Sequence, residues 1–355
     1  MNRSLVRPAM ALLLWSLYFC TAAPALAQAR PATLAELALD QSENRLERLI
    51  EGAKKEGELT LYSSMTAEDQ QIIIDAFTKK YGVKIKLWRS GSEAVVQRVV
   101  AEARAGRTGV DVADNNVPEM EALRLEKLLQ KVNSPTYGDL RPEAVPAHRE
   151  WIGNTIDIFL QGYNTTKVRK EDLPKTYYDL LHPRWKGSLG IEAADQHWFA
   201  AVLAELGHEK GMKLFKDIVD TNGMSVRKGH MLLANLVASA EVPLGLTLYS
   251  HAPATLKKKG APIEAFIIPP YIGQFRSAGV MKTAPHPHAA LLYAEFLISE
   301  DGQKIFADIG RVPTSIRLDT PWSKVVVKFI DPVDFLDKNV KWIRDFEEAV
   351  TKRAK

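Results

Sequence analysis

Between residues 59 and 128, short apolar stretches alternate with amphipathic ones in a regular order. Residues 59–63 and 83–88 read as strands, and 65–81 between them puts Ile72, Ile73, Ala76 and Phe77 in the core-facing positions of a helix that stops at Gly82. Ser90-Gly91-Ser92 opens a second helix reaching residue 105, 110–113 is a short third strand, and 118–128 is helical again. Strands and helices in alternation define an α/β fold: an open, largely parallel sheet with helices on its faces.

The rest of the chain repeats this grammar after a change of register. A helix at 44–57, ended by Gly57, precedes the first strand. Residues 151–163 form one long β-compatible stretch centred on Ile156-Asp157-Ile158-Phe159-Leu160, long enough to cross between two lobes. A second α/β unit follows, with strands at 188–191, 243–249 and 263–267 and helices at 196–206, 209–221 and 229–240. Residues 277–281 read as a strand re-entering the first lobe, and the tail beyond 325 ends in amphipathic helix. Single cores tend to split beyond about 250–300 residues, so two lobes are the default for 355.

The first 27 residues read as a secretory signal. Arg3 and Arg7 form a basic start, 9–23 is apolar, and Ala25-Leu26-Ala27 gives the small-x-small cleavage pattern. The apolar run of about 15 residues is shorter than the roughly 20 that a spanning helix needs. The single cysteine, Cys20, lies inside this segment after Leu17-Tyr18-Phe19, whose bulk argues against lipidation. Cleavage after Ala27 leaves no cysteine, which excludes disulfides and cysteine-ligated metals. The formal net charge of +4 is too weak over this length to be a nucleic-acid footprint.

Several segments together resemble the ferric-binding branch of the family 1 extracellular solute-binding proteins. They are Leu59-Thr60-Leu61-Tyr62-Ser63-Ser64, Phe77-Thr78-Lys79-Lys80-Tyr81-Gly82, Gly91-Ser92, Asp111-Val112, Pro183-Arg184-Trp185-Lys186-Gly187, Glu241-Val242-Pro243-Leu244-Gly245, His286-Pro287-His288-Ala289-Ala290 and Ser299-Glu300-Asp301-Gly302-Gln303. No one of them is specific; their order and spacing carry the resemblance. It implies a two-lobed, type II periplasmic-binding fold, with two doubly wound sheets joined by a hinge and a solute held in the cleft. It further implies a periplasmic address, a cognate ABC permease as partner, a monomer, no nucleic acid, no cofactor and no enzymatic role. The expected division is a signal at 1–27, a lead and helix at 28–57, lobe 1 from 58–155 with 270–312, and lobe 2 from 156–269 with 313–355.

Members of that branch that hold ferric iron use an adjacent tyrosine pair with a histidine and a glutamate. On the resemblance, the tyrosine-pair positions fall at about Ser250 and His251, the histidine near Thr66 and the acid near Asn115 or Asn116. Tyr249 is left as the single phenol. Ferric iron, held through Tyr249 and His251, is therefore the alternative, and a small polar or anionic organic solute the main expectation.

The site candidates stand where strands end and helices begin, the place where open α/β sheets bind ligands. Ser63, Ser64 and Thr66 follow the first strand, Ser90 and Ser92 the second, and Asn115 and Asn116 the third. Each either caps or turns the chain locally or touches the solute. Asp195 and Trp198 stand at a helix start in the far lobe, where an aspartate is a good cap and a tryptophan a good core residue. Tyr249, Ser250 and His251 follow a strand directly. Arg276 either neutralises an anion by paired hydrogen bonds or forms a hinge ion pair. His286 and His288 read as a helix entry rather than a metal pair. The competing class, a secreted periplasmic hydrolase, finds no support in a Gly-x-Ser-x-Gly elbow, a His-Glu-x-x-His pair or a phosphate loop.

Overall fold

The computed structural model describes residues 32–107, 109–322 and 325–354. The signal-peptide segment and Cys20 lie outside the described residues. Among those described, no helix is long and apolar enough to cross a membrane.

Eleven strands make up the sheet. They are β1 (Glu58–Ser63), β2 (Lys84–Arg89), β3 (Val112–Asn116), β4 (Ile152–Asn164), β5 (Leu189–Glu192), β6 (Ser225–Arg227), β7 (Leu244–Tyr249), β8 (Ile263–Phe266), β9 (Ile272–Val280), β10 (Val312–Pro313) and β11 (Lys328–Phe329). In the first lobe β1 pairs in parallel with β2 and β3, and β3 runs antiparallel to β9. In the second lobe β5 pairs in parallel with β6 and β7.

The strand β4 joins the two halves. Its residues from Ile152 to Ile158 pair with β9, whereas Phe159 to Tyr163 pair with β7, so the partner changes at Ile158/Phe159. All thirteen of its residues are buried. The two sheets are thus one continuous path through β4, and each half carries apolar clusters on both faces. Phe77, Tyr293 and Phe296 lie in one first-lobe cluster and Val95, Met120 and Trp151 in another. Trp198, Phe215 and Phe346 lie in one second-lobe cluster and Leu233, Val237 and Leu248 in another.

The helices begin and stop where local chemistry dictates. The helix Ala67–Tyr81 carries Glu68 and Asp69 in its first turn and Lys79 and Lys80 in its last, matching the macrodipole at both ends. Gly82 closes it in the left-handed region (φ 74°), where its N–H donates to the Thr78 carbonyl, a conformation in which a Cβ costs energy.

Two sequence expectations shift here. The third strand runs on to Asn116 instead of ending at residue 113, because Asn115 and Asn116 pair with Ser277 and Arg276 of β9. The strand β9 begins at Ile272 rather than 277 and is buried throughout.

The tail makes a third passage between the halves. After β10 pairs with β4, β11 lies parallel to β9, with Phe329 stacked on Phe275 at 4.2 Å between ring centroids. The helix Pro332–Asp337 packs on the helix Val117–Leu125, Phe335 meets His197 across the cleft, and Phe346 enters the second-lobe core.

Candidate functional site

The strands β1, β3, β5 and β7 each end within a few residues of a helix start, at Ala67, Val117, Gln196 and His251. In this structure the rims touch through two exposed ion pairs, Lys259 with Glu68 at 3.3 Å and Lys228 with Glu93 at 3.7 Å. Each such pair is worth about 0–1 kcal/mol, so they add little to closure.

On the first-lobe side Arg276 is the centre. It is 3% exposed and pairs with Asp114 at 2.5 Å. Its Nη2 also donates to the Ser64 hydroxyl at 3.1 Å and the Ser63 hydroxyl at 3.3 Å, whereas its Nε has no hydrogen-bond partner among the described residues. Asp114 accepts from Asn154 as well, at 2.8 Å. The hydroxyls and amides around it form a chain: Ser64 donates to Asn115 Oδ1 (2.7 Å), Asn115 to the Ser92 carbonyl (3.0 Å), and Asn116 to the Ser92 hydroxyl (3.1 Å). The helices that open at residues 67 and 92 have no side-chain cap, so their first amides are not consumed locally, whereas the one opening at 117 has Pro118, without an N–H, in its first turn.

On the second-lobe side Tyr249 is buried between Phe159 and His230, with ring centroids 5.1 and 3.7 Å away. Its hydroxyl accepts from Gln274 Nε2 at 2.8 Å. Asp195 is 1% exposed and its Oδ2 has no partner among the described residues. His230 Nδ1 lies 3.1 Å from the Thr247 carbonyl, which can only accept, so Nδ1 carries the proton. Its Nε2 then faces Asp195 Oδ1 at 3.5 Å. Glu192, Asp195 and His230 bring ligating atoms within 4.8 Å of one another. His251 lies 3.8 Å from Asp157, which also meets Arg311 at 3.6 Å.

Burial sets the protonation of this region. Desolvation, reinforced by Glu192, holds the Asp195 carboxyl well above the usual range. Desolvation also raises Glu119, on the first turn of the helix facing Tyr249, to about 7, with Glu93 adding repulsion. The Tyr249 phenol is pushed up by burial and then by Asp195 and Asp157. Burial lowers all three histidines: His197 falls to about 3, and His230 and His251 also shift down, His251 with help from Arg311. The resting pocket therefore holds neutral histidines, a neutral phenol and two carboxyls that resist ionisation.

A stability prediction follows from Glu119. Its folded value of about 7 lies above the ordinary 4.5, so the folded state loses stability as pH rises from 4.5 to 7, and the full cost is present above 7. Glu119→Gln is expected to raise the ligand-free melting temperature at pH 8 and to leave it unchanged at pH 4.5. Equal shifts at both values would show that ionisation of Glu119 is not the cause.

The structure brings together Ser64, Ser92, Asn115, Asn116 and Arg276 on one side and Asp195, Tyr249 and His251 on the other. Ser250 joins them through its backbone, its N–H donating to the Ile158 carbonyl at 3.0 Å. Three expectations need correction. Trp198 is a core residue and no cleft contact: it is fully buried, edge-on to Tyr177 and Phe215. Ser63 is turned inward, its hydroxyl donating to Gln70 at 2.7 Å. Asp195 does not cap its helix, because its carboxyl is drawn to the Thr247 hydroxyl instead. Ser90 contributes its N–H to the Ser63 carbonyl, and Thr66 sits at a helix start without a side-chain cap bond. His286 and His288 bind separate carboxylates, Asp111 at 2.9 Å and Glu56 at 2.7 Å, as helix-entry anchors.

The residues that sequence reasoning missed are Asp114, Glu119, Glu192, His230, Thr247 and Gln274. Two carried a signal: Gln274 precedes Arg276 by two residues and so shares its face of the strand, and His230 opens a helix like the other candidates.

With this geometry in place, comparison with known proteins is direct. Residues 73–324 match the family model of the bacterial extracellular solute-binding proteins, and the chain belongs to that family. It is similar to the Fe(3+)-binding periplasmic protein of Serratia marcescens, with 24% identity over 286 residues covering 78% of this chain and 84% of the relative. Iron-bound HitA from Pseudomonas aeruginosa superposes with a TM-score of 0.72 at 24% identity, covering 81% of this chain and 98% of the other. AfuA from Actinobacillus pleuropneumoniae, solved with fructose-6-phosphate bound, gives 0.73 at 20% identity, covering 83% and 99%. The family model defines a solute-binding class, and the structural likenesses a two-lobed periplasmic-binding-protein fold.

Proposed function

We propose that this chain is the exported capture component of an ABC importer and closes over a small, polar, anionic organic solute between its lobes. The lobes are taken as 58–155 with 270–312 and 156–269 with 313–355. The observation that carries the reading is Arg276, a buried guanidinium whose Nε is still available, set among the Ser64 hydroxyl, Asn115, Asn116 and two uncapped helix starts. A guanidinium next to free amides is suited to a carboxylate, phosphate or phosphonate. Capture then works by differential affinity: the weak rim ion pairs leave the open and closed forms close in energy, and a solute touching both sides favours the closed one. The permease in the inner membrane reads the closed form.

Ferric iron fits less well. Its hard charge calls for several anionic oxygen donors, and here the phenol of Tyr249 is tied to Gln274. Native mass spectrometry of protein purified without refolding, with a thermal-shift screen of carboxylates, phosphonates, polyamines and ferric salts, tests this. An organic acid is expected to give the large shift. A coloured protein with a visible charge-transfer band, stabilised by ferric salt alone, would overturn it.

A further inference from the structure

The two walls of the cleft differ in what they can accept. In many anion sites on this kind of sheet, the free amides at helix starts supply the seat. In the second lobe the turns just before two helix starts are already tied to a carboxylate: Glu192 accepts the backbone N–H of Ala194 with one oxygen and that of Gly229 with the other. Its carboxylate thereby ties together the turns leading into the helices Gln196–Leu206 and His230–Ala238. An incoming anion finds those amides occupied and a negative charge beside them.

Two groups on that wall accept rather than donate. Asp195 Oδ2 is buried and unpartnered among the described residues. His230, with Nδ1 committed to the Thr247 carbonyl, presents a lone pair at Nε2. A carboxyl oxygen and an imidazole nitrogen that both accept suit the N–H bonds of a primary ammonium. A metal ion is served less well, since Glu192 is engaged twice, leaving one carboxylate oxygen and one imidazole nitrogen of the trio where a zinc site uses four protein ligands. Gln274, bonded to Tyr249, and Arg276 stand two residues apart on one face of β9, about 7 Å along the strand.

We propose that the solute is a short zwitterion, with its ammonium group against Asp195 and His230 and its acidic group on Arg276. The assignment rests on the reading of the cleft as a site for an organic anion and adds the second charge. The test is calorimetric titration of the mature protein with matched pairs: glycine, 3-aminopropionate, 4-aminobutyrate and 3-aminopropylphosphonate against acetate, propionate, butyrate and propylphosphonate. One amino compound is expected to bind at least about a hundredfold tighter than its deaminated partner, as the loss of a buried charged contact implies. Asp195→Asn, which preserves shape, should reduce that amino compound to the affinity of its partner and leave the partner within about threefold. Equal or tighter binding of the deaminated acids would overturn the zwitterion while leaving the organic-anion reading in place. Binding of ferric or zinc ions alone, with no response to any acid, would overturn both.

Discussion

Arg276→Met is expected to abolish solute binding and to destabilise the fold by about 3–5 kcal/mol, because Asp114 would be left charged in a site where it is 1% exposed. That is a large part of the 5–15 kcal/mol typical of a folded protein. The two effects separate in a double variant. Arg276→Met with Asp114→Asn removes the unpaired charge, and an asparagine oxygen can still accept from Asn154, so urea unfolding should return much of the lost stability. Binding should not return. A double variant that regains both would mean the arginine is only a hinge ion pair, and a single variant that binds with unchanged affinity would remove Arg276 from the site.

The second large effect is at Tyr249. Because the ring is packed between Phe159 and His230, Tyr249→Ala should cost about 3 kcal/mol or more in stability as well as binding. The informative change is therefore Tyr249→Phe. It keeps the packing and removes the acceptor of Gln274, a loss of about 1–2 kcal/mol with Gln274 Nε2 left unpaired. Solute affinity should fall at least about tenfold on Tyr249→Ala measured below its unfolding transition, and less on Tyr249→Phe. Unaltered affinity in Tyr249→Ala would place the binding surface elsewhere.

The legible parts of this protein were those written locally. Strand and helix alternation, the stop at Gly82 and the long crossing stretch that became β4 all follow from periodicity and turn chemistry within a few residues. The third strand was cut short at residue 113 because two asparagines have low strand propensity, yet their pairing with β9 decides the matter. The start of β9 was missed because Gly273, Gln274 and Arg276 interrupt its apolar pattern, although every one is buried. Strand ends lead to Tyr249 and Asn115 as candidates. They could not reveal that Asp195 turns toward Thr247, or that Glu192 and Gly229 meet across 37 residues of chain. Such partnerships exist only once the strands are in register.

The tail that passes over β9 affects how the molecule can move. Two neighbouring strands, β4 and β9, make a pivot that by itself permits both bending and swivelling. A third covalent passage, fixed by Phe329 on Phe275 and again by Phe346 in the second-lobe core, lies off that line. Bending stays available, while swivelling would have to peel the tail from one anchor. A jaw-like closure is the motion such an anchored tail favours, with Asp195 and Arg276 expected to approach in one mutual orientation.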